Sequence, residues 1–115
     1  MPDKIENAQI ARTFLGVEDH GMMSFSLYMQ GEGWGQSFGN ISLDGFNRQL
    51  NKREGWANGF VLVRSILEAV GVQSWEDLKG KYCRIKREEG MIVAVGHVMN
   101  NKWADTRDFI EKTKA

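Results

Sequence analysis

Residues 22 to 30, MMSFSLYMQ, alternate between apolar and polar side chains. The apolar set on one side is Met23, Phe25, Leu27 and Met29, and the polar set on the other is Ser24, Ser26, Tyr28 and Gln30. Alternation at every second residue is the geometry of a β-strand. The pattern therefore predicts a strand with one face on a core and the other toward water or a partner.

Four other stretches predict strands. Residues 9 to 15 alternate, with Ile10, Arg12 and Phe14 on one face, and the turn GVEDHG closes that strand. Residues 37 to 44, SFGNISLD, predict a third strand with Ile41 and Leu43 inward and Phe38, Asn40 and Ser42 on the opposite face. Residues 81 to 87 and 91 to 99 predict a hairpin across REEGM. The polar stretch from Asp44 to Ala57 has neither period and predicts a long loop.

Helical spacing begins at Asn58. One predicted face carries the recurring apolar residues Phe60, Val63, Ile66 or Leu67, and Val70. Arg64 and Glu68 are expected to face water. Gly71 stands at the position of a left-handed C-terminal cap. Ser74 and Asp77 form a capping-box pattern for a short helical turn. Asp105 is expected to cap a last helix carrying Phe109 and Ile110, with Trp103 just before it.

The order of these elements predicts an α+β fold, an antiparallel sheet of about five strands with one main helix packed on a face and a short C-terminal helix. A chain of 115 residues with 42% hydrophobic side chains can bury its own core. We therefore expect a single domain over 1–115, ordered nearly from end to end.

The overall charge is balanced, with 15 Lys and Arg against 15 Asp and Glu. No global field draws the chain to nucleic acid or to an anionic membrane, so the composition argues against both partners. Cys83 is the only cysteine, and the sequence has no long apolar run and no signal-type start. These features predict a protein of the cytoplasm, with no disulfide and no membrane span.

The stretch GEGWGQSFG, Gly31 to Gly39, concentrates four glycines around two aromatic residues. Phosphate-binding glycine loops need a helix directly after the loop, and this one runs into a predicted strand. Three interpretations stay open: a phosphate loop, a tight hairpin, and an edge that a partner approaches closely. The residues proposed for that binding edge are Tyr28, Gly31, Gly33, Trp34, Gly35, Gln36 and Phe38.

Basic residues cluster at 48 to 53, at Lys79 and Lys81, and at 84 to 87. A solvated surface explains such runs, but a loop and a strand could also hold an anionic ligand together. In that case Arg53, Arg84 and Lys86 would contact phosphate, and Trp34 or Trp56 would stack on a base.

No pattern for catalysis or metal binding stands out. A zinc site would need His20 and His97 with Asp19 or Glu18, and their spacing matches no standard motif. Cys83 alternates with Ile85 in a strand, which predicts a small buried side chain rather than a nucleophile. We therefore expect no metal, no cofactor and no enzyme activity.

The turn GVEDHG, the stretch GWGQSFG, the segment WEDLKGK and the pair GH before Trp103 together resemble a family of small bacteriophage and prophage proteins. The likeness runs from Phe14 to Trp103, and Glu32, Trp34 and the basic 48 to 53 segment depart from its pattern. The family suggests no catalytic residues.

That resemblance implies a phage accessory protein of the host cytoplasm. Such proteins bind a host component, such as an antiviral defence system, in the manner of an anti-CRISPR inhibitor. The alternative is a small-ligand binder that sequesters a nucleotide-type signal. A homodimer is left open.

Overall fold

A computed structural model describes residues 4–18 and 21–114, with side chains described as far as Glu111. Its main sheet is antiparallel, with the strand order β3-β2-β1-β6-β7-β8. The strands of that sheet are β1 Lys4–Val17, β2 Met23–Gly31, β3 Trp34–Ser42, β6 Tyr82–Glu88, β7 Met91–Gly96 and β8 Trp103–Asp105. A separate hairpin pairs β4 Asp44–Asn47 with β5 Lys52–Gly55. The helices are α1 Ala57–Val70 and α2 Thr106–Lys114, with a 3-10 turn at Trp75–Leu78.

The predicted α+β class with one main helix and a short C-terminal helix is confirmed. The main sheet has six strands rather than about five, because Trp103–Asp105 adds β8 beside β7. The predicted long loop from Asp44 to Ala57 is wrong, since β4 and β5 form a hairpin there. Asn47 stabilises its turn by accepting hydrogen bonds from the backbone N–H groups of Gln49 and Leu50 at 3.0 and 3.1 Å.

The apolar row of β2 forms the centre of the core, as the alternation predicts. Phe25, Leu27 and Met29 are fully buried, and they pack in one cluster with Ile66 of α1 and Ile85 of β6. We call this side of the sheet the inner face, and the opposite side the outer face.

Two bulges move side chains to faces that simple alternation does not predict. The register of β1 shifts between Ile10 and Arg12, so Ile10 is buried on the inner face while Arg12 and Phe14 project outward. In β3, a second shift coincides with a positive φ of 58° at Asn40. Phe38 consequently packs into the core with 1% of its surface exposed, and the prediction of an outward Phe38 is wrong.

The α1 helix buries a face that is rotated from the one its apolar spacing suggested. Its buried residues are Gly59, Leu62, Ile66, Ala69 and Val70, of which Ile66 and Val70 belong to the predicted face. Val63 and Leu67 are half-buried against the core, but Phe60 is 76% exposed, so the prediction of a buried Phe60 is wrong. Arg64 and Glu68 face water as predicted. A Cβ atom on Gly59 would lie 2.4 Å from the carbonyl oxygen of Leu43, and this close approach selects the face.

The predicted ends of these elements are largely confirmed. Gly71 caps α1 with a φ of 92°, and its N–H donates to the carbonyl oxygen of Leu67. Asp105 Oδ1 accepts a hydrogen bond from the N–H of Arg107 at the start of α2. Ser74 precedes the 3-10 turn, but its side chain makes no capping hydrogen bond. Neither described helix is both long enough and apolar enough to cross a membrane.

Candidate functional site: the outer face of the sheet

Strand register brings a distinctive set of side chains to the outer face. Across β2, β1 and β6, Tyr28 pairs with Arg12, Gln30 pairs with Gln9, and Gln9 pairs with Tyr82. Further along, Asn7 pairs with Arg84, Arg84 with Gly96, and Gly96 with Trp103. The residues considered on this face are Asn7, Gln9, Arg12, Phe14, Tyr28, Gln30, Tyr82, Arg84, Lys86 and Trp103.

The described helices leave this face uncovered. Buried side chains of α1 and α2, such as Leu62 and Phe109, belong to the same core cluster as the inner-face residues of the sheet. On the outer face, Tyr82 is 69% exposed and Phe14 is 42% exposed. Two large rings therefore remain in contact with water.

Two other rings on this face lie against cations. The Arg12 guanidinium sits 4.6 Å from the centre of the Tyr28 ring. Lys86 Nζ and the Arg84 guanidinium lie 4.2 and 5.1 Å from the centre of the Trp103 ring. Such cation–π contacts hold the positive groups close to the sheet surface.

Glycines allow these two rings to lie along the sheet. A Cβ atom on Gly35 would come within 2.2 Å of the Tyr28 hydroxyl, and one on Gly96 within 2.5 Å of the Trp103 ring. Gly35 thus makes room for an aromatic side chain of the same face. This gives one glycine of the GEGWGQSFG stretch a role in shaping the outer face.

The outer-face cations form no ion pair with a carboxylate of the described residues. Among residues 4–18 and 21–111, no Asp or Glu forms an ion pair with Arg12, Arg84 or Lys86. Arg84 donates instead to the carbonyl oxygens of His97 and Asn100, at 2.7 and 3.0 Å. These three side chains therefore keep their positive charge available to a ligand.

Two carboxylates border the same face near β8, and both are already paired. Asp105 shares a row of the sheet with Lys86, but its carboxylate pairs with Arg107 at 2.7 Å. Glu88 pairs with the same guanidinium. Arg107 thus offsets the negative charge of Asp105 and Glu88, which would otherwise repel an anion.

The glycine-rich stretch forms a tight hairpin, which confirms that interpretation. Gly31 pairs with Trp34 across a turn in which Gly33 has a φ of 76°. The chain continues as β3, so no helix begins after the loop as a phosphate site would need. Close partner binding at this edge stays a prediction.

Trp34 and Gln36 of the predicted edge turn away from the outer face. Trp34 is half-buried against the core, with its Nε1 2.3 Å from where a Gly31 Cβ would stand and the Arg87 guanidinium 4.4 Å from its ring. Gln36 Oε1 accepts hydrogen bonds from the N–H of Ile92 at 2.9 Å and from Arg87 at 3.1 Å. These contacts close one end of the core.

Arg53 and Trp56 belong to the β4–β5 region and lie outside the group of outer-face residues named above. Arg53 pairs with the buried carboxylate of Asp44 at 2.7 Å. Burial alone would raise the pKa of Asp44, but hydrogen bonds from Arg53, the Met23 N–H and Ser42 hold it below its ordinary value of 3.8. Trp56 packs over Gly45, with its ring centre 6.5 Å from that of Phe109.

The structure therefore does not bring Arg53 together with Arg84 and Lys86. Lys86 pairs with Ile5 near the start of β1. Arg53 donates a hydrogen bond to Ser42 of β3. Ser42 pairs with Ser24 of β2, and Ser24 pairs with Gly16 near the end of β1. Those two ends of β1 are separated by about 35 Å of strand. One small ligand cannot contact both groups.

The residues considered for metal or nucleophilic chemistry have structural roles where they are described. His97 Nδ1 accepts hydrogen bonds from the N–H groups of Met99 and Asn100 at 3.0 and 3.1 Å. Burial raises the pKa of Cys83 to about 12, which keeps the thiol protonated. No cluster of three metal-ligating side chains occurs in the described residues, and Asp19 and His20 lie outside them.

Most members of the outer face were not among the predicted site residues, including Arg12, Phe14, Tyr82 and Trp103. The bulge in β1 concealed the first two, because it inverts the alternation after Ile10. The position of Tyr82 could have been predicted from the sequence, since Tyr82, Arg84 and Lys86 alternate with the buried Cys83 and Ile85.

A second exposed surface lies on α1. Phe60, Val63, Leu67 and Val72 line a shallow apolar groove beside the ion pair of Arg64 with Glu68, whose atoms are 2.8 Å apart. Its chemistry indicates contact with another apolar surface but does not identify the partner. The homodimer left open by the sequence remains a prediction.

Compared with known proteins, the chain matches no family model, no curated protein and no solved structure.

Proposed function

We propose that this chain is a binding protein that acts by binding an anionic partner through the outer face of its sheet. The observation that carries the proposal is the grouping of Arg12, Arg84 and Lys86 there with no ion pair to any described carboxylate. Exposed rings accompany them. No turnover is needed for such a role.

The physical basis is the preorganisation of charge. The cations are held by the rings of Tyr28 and Trp103, so a partner need not order long flexible side chains from scratch. Unpaired cations also attract an anion from a distance, to an extent that falls as salt is added.

The resemblance to small phage and prophage proteins supplies the cellular setting of the proposal. An accessory protein that occupies a host component, such as part of an antiviral defence system, would act in the host cytoplasm by blocking a surface.

A heparin column tests the general claim, because heparin is a polyanion without bases. We expect the parent protein to bind at low salt and to elute at a defined higher salt. The variant Arg12→Gln/Lys86→Gln should elute earlier because it lacks two of the three unpaired cations. Arg84 is left intact because it also holds the carbonyl groups of His97 and Asn100.

The matched control is Arg48→Gln/Lys52→Gln, which removes the same charge from two exposed residues of the β4–β5 hairpin region. It should elute with the parent. If the parent passes through the column at low salt, or if both variants elute alike, the outer face is not an anion-binding surface.

A small-ligand binder is the second candidate, favoured by one depression of the outer face. Arg12, Phe14, Ser26, Tyr28 and Ser37 line this shallow site of about 260 Å³. A ring, a cation and two hydroxyls could hold a nucleotide signal. Thermal melting with a nucleotide panel tests it, since a ligand at 100 times its Kd adds about 2.7 kcal/mol of stability. An unchanged melting temperature across the panel would count against this candidate.

A further inference from the structure

We infer that the anionic partner of the outer face is a single-stranded nucleic acid. This inference rests on the proposed function, because it names the class of ligand for the same surface. It adds a requirement that a generic polyanion does not meet: the ligand must also offer flat apolar rings to Phe14 and Tyr82.

The argument begins with the two exposed rings. Phe14 and Tyr82 lie on adjacent strands, β1 and β6, with 42% and 69% of their surfaces exposed, and no cation is stacked on either in the described part of the chain. Unstacked bases have the flat π-surface that suits such rings, and stacking on aromatic side chains tolerates any base sequence.

Strandedness follows from the same feature. In a duplex the faces of the bases are stacked on one another, so rings that lie on a sheet surface cannot reach them. A duplex would satisfy Arg12, Arg84 and Lys86 but would leave Phe14 and Tyr82 without partners. An acidic protein would also satisfy the cations, but it has no bases to stack on the two rings.

The positions of the cations suit a ligand that crosses the strands. Arg12 and Tyr28 lie toward one side of the sheet, and Lys86 and Trp103 toward the other. From β2 to β8 the sheet spans about 19 Å at the usual strand spacing. A flexible backbone with a phosphate on every nucleotide can follow this path from one cation to the next.

Neutral polar side chains lie between the two cation groups, and Glu32 borders the same depression. Gln9 and Gln30 form a cross-strand pair in which Gln30 Nε2 donates to Gln9 Oε1 at 3.1 Å, and Asn7 is exposed beside them. Amide groups both donate and accept hydrogen bonds, so they can meet the edges of unpaired bases.

The balanced net charge of the chain does not conflict with this inference. Many described acidic residues lie on α1, the 3-10 turn and α2, among them Glu68, Glu76, Asp77, Asp108 and Glu111. A ligand responds to the charge of the face that it meets, and ionic strength screens charges beyond about 10 Å. The composition averages the two sides of the molecule.

Fluorescence anisotropy with labelled 15-nucleotide dT and U oligomers, and with a 15-base-pair DNA duplex, tests the inference. We expect the single strands to bind more tightly than the duplex. Three phosphate contacts should give a slope of about −2 for log K against log salt concentration. The oligomer length exceeds the span of the outer face, so end effects do not limit binding.

Aromatic variants provide the decisive comparison. Phe14→Ala and Tyr82→Ala should each weaken single-strand binding by about 5-fold or more. The control is Phe60→Ala, which removes another exposed ring but from α1. It should bind the oligomers like the parent, and all three variants should elute from heparin with the parent because no charge is removed.

The two experiments separate the inference from the proposed function. Heparin retention that needs Arg12 and Lys86, combined with equal binding of duplex and single strands, would keep the anion-binding face and overturn the nucleic-acid inference. Phe14→Ala and Tyr82→Ala variants that bind like the parent would also overturn it. Failure to bind either heparin or any oligomer would overturn both.

Discussion

The paired cations Arg53 and Arg87 contrast with the outer-face cations Arg12 and Lys86. Arg53 pairs with Asp44, and Arg87 pairs with Glu6 and contacts Gln36. Arg12 and Lys86 instead lie over the rings of Tyr28 and Trp103, with no ion pair to any described carboxylate. Positive side chains therefore have two roles here: some form ion pairs within the fold, and others remain accessible to an anion.

The contrast shows how a cluster of basic residues should be interpreted. A guanidinium already bound to a buried carboxylate would have to break that pair before it could hold a phosphate, and breaking such a pair is unfavourable. A cation on a ring gives up much less when an anion arrives. Availability, rather than the number of basic residues, decides where an anion binds.

The largest effect should come from the inner face. Phe25→Ala removes a fully buried ring and should lower the free energy of unfolding by about 3 to 5 kcal/mol, measured by chemical denaturation. The milder Phe25→Leu variant should lose less and remain folded if the parent is marginally stable. A Phe25→Ala variant as stable as the parent would contradict the assigned inner face.

Trp34→Ala should have the next largest effect. Because Trp34 is half-buried between the core and Arg87, its loss should lower stability by about 2 kcal/mol. Oligomer and heparin binding of the folded variant should match the parent. If binding falls while stability is unchanged, Trp34 belongs to the ligand surface, and the division between the two regions is wrong.

Asp44→Asn tests the paired region through pH. It should lower stability at pH 7 by about 1 to 2 kcal/mol, because Arg53 and the Met23 N–H lose a charged acceptor. Since the pKa of Asp44 is below 3.8 in the folded protein, its contribution is complete above that value and is lost as pH falls through the folded pKa. The stabilities of parent and variant should therefore converge in acid. A constant difference from pH 7 to pH 2 would exclude a charge effect.

The smallest stability effect should come from the outer face. Tyr82→Ala removes a mostly exposed ring and should change the free energy of unfolding by less than about 0.5 kcal/mol. The same variant is expected to weaken oligomer binding, so its stability and its affinity should respond separately. A large loss of stability would show that Tyr82 is held by the fold rather than displayed to a ligand.

The parts of the fold that the sequence predicted correctly are those with one unambiguous period. The β2 row through Phe25 and Leu27 alternates cleanly, and Glu89 and Gly90 both have positive φ at the predicted β6–β7 turn. The candidate site was predicted less well. Tyr28, Arg84 and Lys86 lie on the outer face, whereas Trp34, Phe38 and Arg53 of the expected site serve the core or an ion pair.

The sequence alone determined the α+β class, the central strand and the end of α1 at Gly71, because local periodicity and backbone preference act over neighbouring residues. Only the tertiary structure decided which face α1 buries, because all four residues from 60 to 63 are apolar and the choice rests on the close approach of Gly59 to Leu43. It also decided which cations are free, since ion pairs such as that between Arg87 and Glu6 join residues far apart in the chain. The bulge after Ile10 set the outer face in the same way, through pairing between strands.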